Sequence, residues 1–255
     1  MYPTHFQENN SPAYVPGSLS KILDKEIIPR LSVSDKEKLT DFLPDFISSE
    51  SISSVNLVKA ATQIKSLEAL AADLEEGIKN NHTESWWQTY IKAKILIIQQ
   101  GYIKAIDKIN VSVVNTKFPD FSLVTHDDYL DILEIKRPST NLLKLDNSRG
   151  NYYWDLEMSK AVSQVENYIE NVSRHRDAIR NELRDTYQLD LQVLKPRGII
   201  LAGARSQLKT QKEKDDFRLL SESMKNISVV TYDGLLARLN NYISVLKSFE
   251  KKSKK

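Results

Sequence analysis

The sequence predicts a mixed α/β fold preceded by a helical N-terminal region, and three observations carry that reading. Apolar positions up to Asn80 recur at helical spacing, short runs of branched and aromatic residues begin near Ile103, and helical and strand patterns alternate from Leu156 onward. With 255 residues, 40% of them hydrophobic and 27% charged, the chain can bury one large core or an ordinary core with an added module.

Met1 to Gly17 carries Pro3, Pro12, Pro16 and several Asn and Ser residues, and reads as a loose arm. Over residues 18–46 two modest helices are expected. Leu19, Ile22, Leu23 and Ile27 form one apolar stripe, and Ser34 with Glu37 fits a capping box ahead of Leu39, Phe42 and Leu43. Ala60, Ile64, Leu67, Ala71, Leu74 and Ile78 then alternate four and three apart, which predicts one long helix over 54–80. Its seam can build a dimer or lie against the chain's own domain; the second is favoured, because the run falls short of the roughly three to four heptads that specify a coiled coil.

Thr83 to Gln99 predicts a helix with Trp86, Trp87, Tyr90, Ile91 and Ile95 as its bulk, broken at Gly101. Strands are expected at Ile109 to Val114, Phe118 to Val124 and Tyr129 to Ile135, the last closed by Pro138, which has no amide hydrogen to give a ladder. A polar loop, Ser139 to Asn151, should follow. Next come a helix at Leu156 to Val172 with Ala161, Val165, Tyr168, Ile169 and Val172 on one face, and a buried strand at Gly198 to Ala202. A helix at Gln211 to Lys225, a strand at Ile227 to Thr231 and a helix at Gly234 to Leu246 complete the pattern, ahead of a solvated tail containing Lys251, Lys252, Lys254 and Lys255. The division expected is a helical region over 1–80, an α/β domain over 81–246 and a basic tail over 247–255.

Composition excludes several chemistries. There is no cysteine, so disulfides, thiolate metal sites and thiol nucleophiles are absent. His5, His82, His126 and His175 are scattered without metal-ligand spacing and read as surface residues. The net charge of +2 does not by itself announce a nucleic-acid binder. Met1 to Gly17 lacks the apolar centre of a signal peptide, and no run approaches the roughly 20 apolar residues that span a bilayer; a cytoplasmic protein without a membrane partner is the economical reading.

The chemistry lies in a hairpin. Phe118-Pro119-Asp120-Phe121-Ser122-Leu123-Val124 meets Tyr129-Leu130-Asp131-Ile132-Leu133-Glu134-Ile135-Lys136 across the turn Thr125 to Asp128. Antiparallel pairing centred on Asp127 puts Asp120 opposite Glu134, and Lys136 shares the face of Glu134. Facing carboxylates repel unless a cation or a proton lies between them. A hard divalent ion such as Mg²⁺, with Mn²⁺ as substitute, suits two carboxylates plus water and phosphate oxygens. A lysine beside it can activate water or stabilise charge on a phosphate. Glu-x-Lys alone is weak evidence, but here Leu130 and Ile132 on one face and Leu133 and Ile135 on the other mark a central strand rather than a solvated one.

Pro119-Asp120 followed by Glu134-Ile135-Lys136 resembles the PD-(D/E)xK nuclease signature. Gln164 and Tyr168, four apart on one helix, match the Gln-x-x-x-Tyr element of RecB-like members, and Glu84 matches the helical glutamate that many members add to the metal site. Asp120 to Pro138, Ala161 to Tyr168, Arg197 to Leu201 and Val230 to Asp233 more narrowly resemble the nuclease domain of Shedu-type antiphage defence proteins, over roughly 81–246. This resemblance implies a restriction-endonuclease-like core, a mixed central β-sheet flanked by helices. It also implies a Mg²⁺-dependent DNA endonuclease of prokaryotic immunity that forms homo-oligomers and answers a phage-derived trigger. The implied site has Asp120, Glu134, Glu84 and the Ile135 carbonyl on the metal, with Lys136 and Gln164 assisting catalysis.

Other readings stand beside this one. Asn81 with Glu84 also makes a capping box; Gln164 is equally a polar helix residue and Tyr168 a core aromatic. Arg137, Lys144, Arg149, Tyr168 and Arg205 are candidate DNA contacts, the charged ones equally well explained as solvated side chains. Trp154, with Tyr152 and Tyr153, is expected to pack rather than stack on a base. A catalytically silent nuclease-fold scaffold and a type II restriction enzyme are the alternatives at the level of function.

Overall fold

The structure, a computed structural model, describes residues 31–42, 49–80, 82–98, 101–107, 109–110 and 118–252. The chain divides into two compact units, Met1–Ala61 and Thr62–Lys255. In the first, α1 spans Val33–Phe42 and α2 begins at Ser49 to run on to Lys79. The cap of α1 is Ser32, two residues earlier than expected: its hydroxyl accepts the Asp35 amide at 3.1 Å and donates to the Asp35 carboxylate at 2.6 Å. Ser32-x-x-Asp35 and Ser34-x-x-Glu37 offer the same chemistry, and sequence does not choose between them. The stripe at 19–27 lies outside the described residues.

A five-stranded sheet organises the second unit: β1 (Tyr102–Asp107), β2 (Phe121–Thr125), β3 (Leu130–Ile135), β6 (Gly198–Leu201) and β7 (Ile227–Val230), side by side in that order. The first three strands are antiparallel and β3, β6 and β7 are parallel. Between β3 and β6 lie the hairpin β4 (Leu143–Asp146) and β5 (Asn151–Trp154), then α4 (Leu156–Arg174) and α5 (Arg176–Tyr187). A 3₁₀ turn (Arg205–Gln207) and α6 (Gln211–Ser223) lead to β7, and α7 (Tyr232–Lys252) follows. This is a mixed central sheet with helices on both faces. No described helix is long and apolar enough to cross a membrane.

Strand alternation sorts the core into two layers. Val124, Leu130, Ile132 and Ile200 face α4 and α5, where Ala161, Val165, Val172 and Leu183 are buried. Leu123, Leu133, Ile135 and Leu201 face α2, α3 (Glu84–Ile98) and α7, against Leu74, Trp87, Ile91 and Leu239. Ile64, Ala71 and Leu74 of the heptad-like seam are buried here, with Leu67 and Ile78 partly so. The seam therefore serves the chain's own core. On the outer stripe of α3, His82 stacks on Trp86 at 3.7 Å, Trp86 on Tyr90 at 5.0 Å, and Lys94 lies 3.8 Å over the Tyr90 ring. His82 is thus half-buried in an aromatic ladder rather than a solvated surface residue.

Three differences from expectation have physical causes. The segment expected as a polar loop at 139–151 contains β4 and leads into β5, because Leu143 pairs with Trp154 and Leu145 with Tyr152. The Asp146 carboxylate accepts from the Ser148 amide and hydroxyl, and Gly150 supplies a φ of 68°, so the polar residues form the hairpin turn. Trp154 packs edge-on against Phe217, as expected. A strand at Tyr102–Asp107 lies ahead of the one expected at 109–114, most of which is outside the described residues. Finally, α7 continues as helix to Lys252, through residues assigned to a solvated tail, and Lys247 pairs with Glu68 of α2.

Gly198 marks the tightest helix–sheet contact. A Cβ there would lie 2.2 Å from Val165 Cγ1, and a helical valine has one strongly preferred rotamer, so α4 or β6 must move. Gly198→Ala is expected to cost about 1–3 kcal/mol of unfolding free energy in a urea titration. A loss under about 0.5 kcal/mol would show that α4 yields freely.

Candidate active site

The hairpin register is the one centred on Asp127: Phe121 faces Leu133, Ser122 faces Ile132, Leu123 faces Asp131 and Val124 faces Leu130. Asp120 sits in the bend just before β2, so its carboxylate is used as an end-piece to the ladder rather than as a strand side chain. One oxygen accepts the Ile135 amide at 2.7 Å, and the other accepts the Gln88 side-chain amide at 2.7 Å. Asp120 is thereby fixed to the end of β3 and to α3 together.

Glu134 is almost wholly buried on the α4 face of β3, its side chain 3% exposed. Its Oε1 accepts from Lys136 Nζ at 2.9 Å, whereas its Oε2 is buried with no hydrogen-bond partner among the described residues. Burial, then the charge of Asp120, push the Glu134 carboxyl up from 4.5 to about 7, against the opposing pull of Lys136. Burial alone would lower the Lys136 ammonium, but Glu134, Glu84 and Asp120 together hold it above the ordinary lysine value. Lys136 therefore remains a cation among three carboxylates.

Glu84 is the third of these, reaching Lys136 Nζ at 3.4 Å from the first turn of α3. Asn81, on which the capping alternative for Glu84 depends, lies outside the described residues; at the start of α3 Thr83 Oγ1 accepts from the Trp86 amide at 3.3 Å. The lysine backbone is held as firmly as its side chain. Its amide donates to the Leu201 carbonyl at 2.8 Å, and its carbonyl accepts from the Tyr232 hydroxyl at 2.6 Å.

Gln164 and Tyr168 are joined, as their spacing on α4 requires. The Gln164 amide donates to the Tyr168 hydroxyl at 2.6 Å, which donates to the Phe118 carbonyl at 2.9 Å. Both act on the corner Phe118-Pro119-Asp120. Tyr168 is buried at 5% exposure, with its hydroxyl engaged in that bond.

Arg137 and Arg205 are exposed on neighbouring loops at the same end of the sheet as the carboxylates, linked by the Gly203 amide on the Arg137 carbonyl at 3.1 Å. Lys144 lies exposed on β4 and Arg149 in the turn after it. Three contributors went unread in the sequence. Gln88 is four residues from Glu84, so helical periodicity alone pointed to it. Tyr232 and Gln207, whose amide donates to the Pro138 and Thr140 carbonyls at 3.2 and 3.1 Å, carry no local signal.

Every one of these groups lies within residues 81–236, the stretch that matches the family described as Shedu protein SduA, C-terminal. The chain belongs to that family. A Shedu protein SduA from Bacillus cereus (strain B4264) is 24% identical over 241 residues, an alignment covering 89% of this chain and 62% of that relative. The chain therefore spans less than two thirds of the relative's length. The Shedu match begins just ahead of α3 and ends within α7, so it takes in the helix of Glu84 and Gln88, the hairpin, α4 and Tyr232.

Proposed function

We propose that this Shedu-family chain is a metal-dependent DNA endonuclease of the PD-(D/E)xK type, with a restriction-endonuclease-like core, acting in prokaryotic antiphage defence. The observation that carries this reading is the buried Glu134 oxygen without a partner among the described residues, beside Asp120 and next to a lysine that both Glu134 and Glu84 hold. An unpartnered buried carboxylate oxygen is costly, and a divalent cation removes that cost.

The donor set fits Mg²⁺ or Mn²⁺: Glu134 and Asp120 would hold it, with Glu84 and the Ile135 carbonyl completing the protein ligands. Such an ion supplies Lewis-acid polarisation of a phosphodiester and water at a lowered pKa. Lys136 places its charge where negative charge develops on the phosphate oxygens. The Gln164–Tyr168 chain positions Asp120 through the Phe118 corner, and Arg137 and Arg205 stand where flanking phosphates would pass. The product expected is a 5′-phosphate, from a homo-oligomer released by a phage-derived trigger.

One observation favours the silent-scaffold reading. Among the described residues no three His, Asp or Glu side chains are already arranged as a metal shell, and both Asp120 oxygens carry hydrogen bonds. Supercoiled plasmid incubated with the protein and Mg²⁺ or Mn²⁺ separates the two. Nicked or linear product supports the endonuclease, whereas DNA retardation without cleavage under either ion supports the scaffold. A sharp, sequence-defined cut pattern would instead indicate a restriction enzyme.

Metal binding has a pH signature. Glu134 titrates at about 7 in the fold against an ordinary 4.5, so the stability it contributes in its protonated form is lost as pH rises from about 4.5 to about 7. A cation needs the deprotonated form and acts in the opposite sense. Mn²⁺ is therefore expected to raise the melting temperature at pH 8 and to leave it nearly unchanged at pH 5, in a thermal scan. Equal shifts at both pH values would place the ion elsewhere.

A further inference from the structure

At the opposite end of β3 from Glu134, roughly 15 Å along the strand at about 3.3 Å per residue, a cavity of about 470 Å³ opens between the β2–β3 turn and the segment ahead of β6. Its walls include Tyr102, Tyr129, Asp131, Leu194, Lys195 and Arg197. The volume falls in the range of small-molecule sites, roughly 300–1,000 Å³.

The charges around this cavity are unequally spent. Asp131, buried at 6% exposure, accepts from the Tyr102 hydroxyl at 2.9 Å and from the Arg197 amide at 2.8 Å. Asp127 lies 3.0 Å from His126. Asp131 is thus spent on protein partners, while Asp127, its side chain 64% exposed, has one oxygen beside the His126 imidazole. The ammonium of Lys195 and the guanidinium of Arg197 have no hydrogen-bonded or ion-paired acceptor among the described residues, and both are exposed. What the cavity offers a ligand is two cations, two phenol rings and the apolar side chain of Leu194.

The backbone here is shaped at some cost. Lys195 on the wall and Asp128 in the β2–β3 turn, neither of them glycine, stand at φ of 44° and 62°, and Lys195 precedes Pro196, which further restricts it. Conformations of this kind persist where the surrounding structure imposes them, and they gather at ligand clamps. The imposing contacts are present: the Gln192 amide donates to the Asp128 carbonyl at 2.7 Å, the Leu130 amide to the Gln192 carbonyl at 3.3 Å, and the Ile132 amide to the Arg197 carbonyl at 2.8 Å. The left-handed turn at Lys195 and the anchored Arg197 set two cations on one side of the opening.

We propose that this cavity binds a nucleoside monophosphate, its phosphate between Lys195 and Arg197 and its base against Tyr102 and Tyr129. Two cations alone would serve any anion; the two tyrosine rings in the lining and Leu194 call for an anion with a flat, largely apolar body. The site is separate from the carboxylates and does not depend on the endonuclease reading. Its floor, Asp131, is nevertheless three residues from Glu134 on the same strand, so a bound nucleotide is placed to report to the catalytic end.

Calorimetric titration of the full chain in EDTA tests this, since chelation keeps nucleotides from being recruited by a metal at Glu134. The probes are AMP, GMP, CMP and UMP, with adenosine, inorganic phosphate and the acidic peptide Ac-Asp-Glu as comparisons. At least one monophosphate is expected to bind with a Kd below about 100 μM, with adenosine and phosphate each at least about tenfold weaker. Joint Lys195→Ala and Arg197→Ala replacement should weaken binding about tenfold or more, and Glu134→Gln should leave it unchanged. The proposal is overturned if no monophosphate binds at millimolar concentration, if the double variant binds like the parent, or if phosphate or Ac-Asp-Glu binds as tightly as the best nucleotide.

Discussion

Glu134→Gln is expected to lower metal-dependent plasmid cleavage by about 10³-fold or more, while the metal-free protein at pH 8 becomes at least as stable as the parent. The two effects share one origin. Glu134 is held where ionisation is unfavourable, by burial and by Asp120, even with Lys136 beside it. Glutamine keeps the shape and the hydrogen-bonding oxygen for Lys136 but removes the buried charge, which stabilises the chain above pH 7 by up to about 3 kcal/mol. It also removes the proposed metal ligand, so the Mn²⁺-dependent rise in melting temperature at pH 8 should vanish. Urea titrations and plasmid assays on the same preparation read both. A variant that cleaves like the parent removes Glu134 from the catalytic centre; one that is inactive but markedly destabilised at pH 8 shows that the ion pair with Lys136 outweighs burial.

The second large effect is expected away from the carboxylates. Trp87 is fully buried between Glu84 and Gln88 in sequence, its ring 4.5 Å from that of Tyr232, with Gly77 of α2 leaving room for its edge. Trp87→Ala opens a cavity worth about 3–5 kcal/mol, which unfolding in urea would show directly. Because α3 docks through this side chain, Glu84 and Gln88 lose their placement together, and cleavage should fall with stability. Trp87→Phe distinguishes docking from general collapse. The indole N–H is buried without a partner among the described residues, so phenylalanine gives up area but also an unsatisfied donor. That variant should fold, lose at most about 2 kcal/mol, and retain most activity. A Trp87→Ala loss below about 1 kcal/mol would refute the packing account.

Much of the centre was legible because strand geometry is periodic. Once the turn at Asp127 is recognised, the register from Phe121 against Leu133 to Val124 against Leu130 follows, and the apolar residues flanking Glu134 declare a strand covered on both faces, whereas Asp120 lies in the bend just before β2. The helices of Glu84 and Gln164 were equally plain, since α3 and α4 carry strong apolar stripes. The hairpin β4–β5 was hidden because each strand holds only four residues between turn-formers, and α5 because it rests on just two buried anchors, Ile179 and Leu183. Capping boxes were ambiguous by one or two residues at both Ser32 and Thr83, where neighbouring polar side chains offer the same hydrogen bonds. Tyr232 and Gln207 reach the segment that follows β3, at Lys136, Pro138 and Thr140, from distant positions, a relation that no local pattern encodes.

The bond from Tyr232 to the Lys136 carbonyl bears on how the protein is made. Tyr232 begins α7, and at about 5–20 residues per second of synthesis it leaves the ribosome on the order of 10 s after Glu84. Throughout that interval the nascent chain holds its acidic and basic groups without the clasp that closes them. For the proposed endonuclease, cleavage is expected only from chains extended past residue 232, and chains terminated before it should leave plasmid DNA intact.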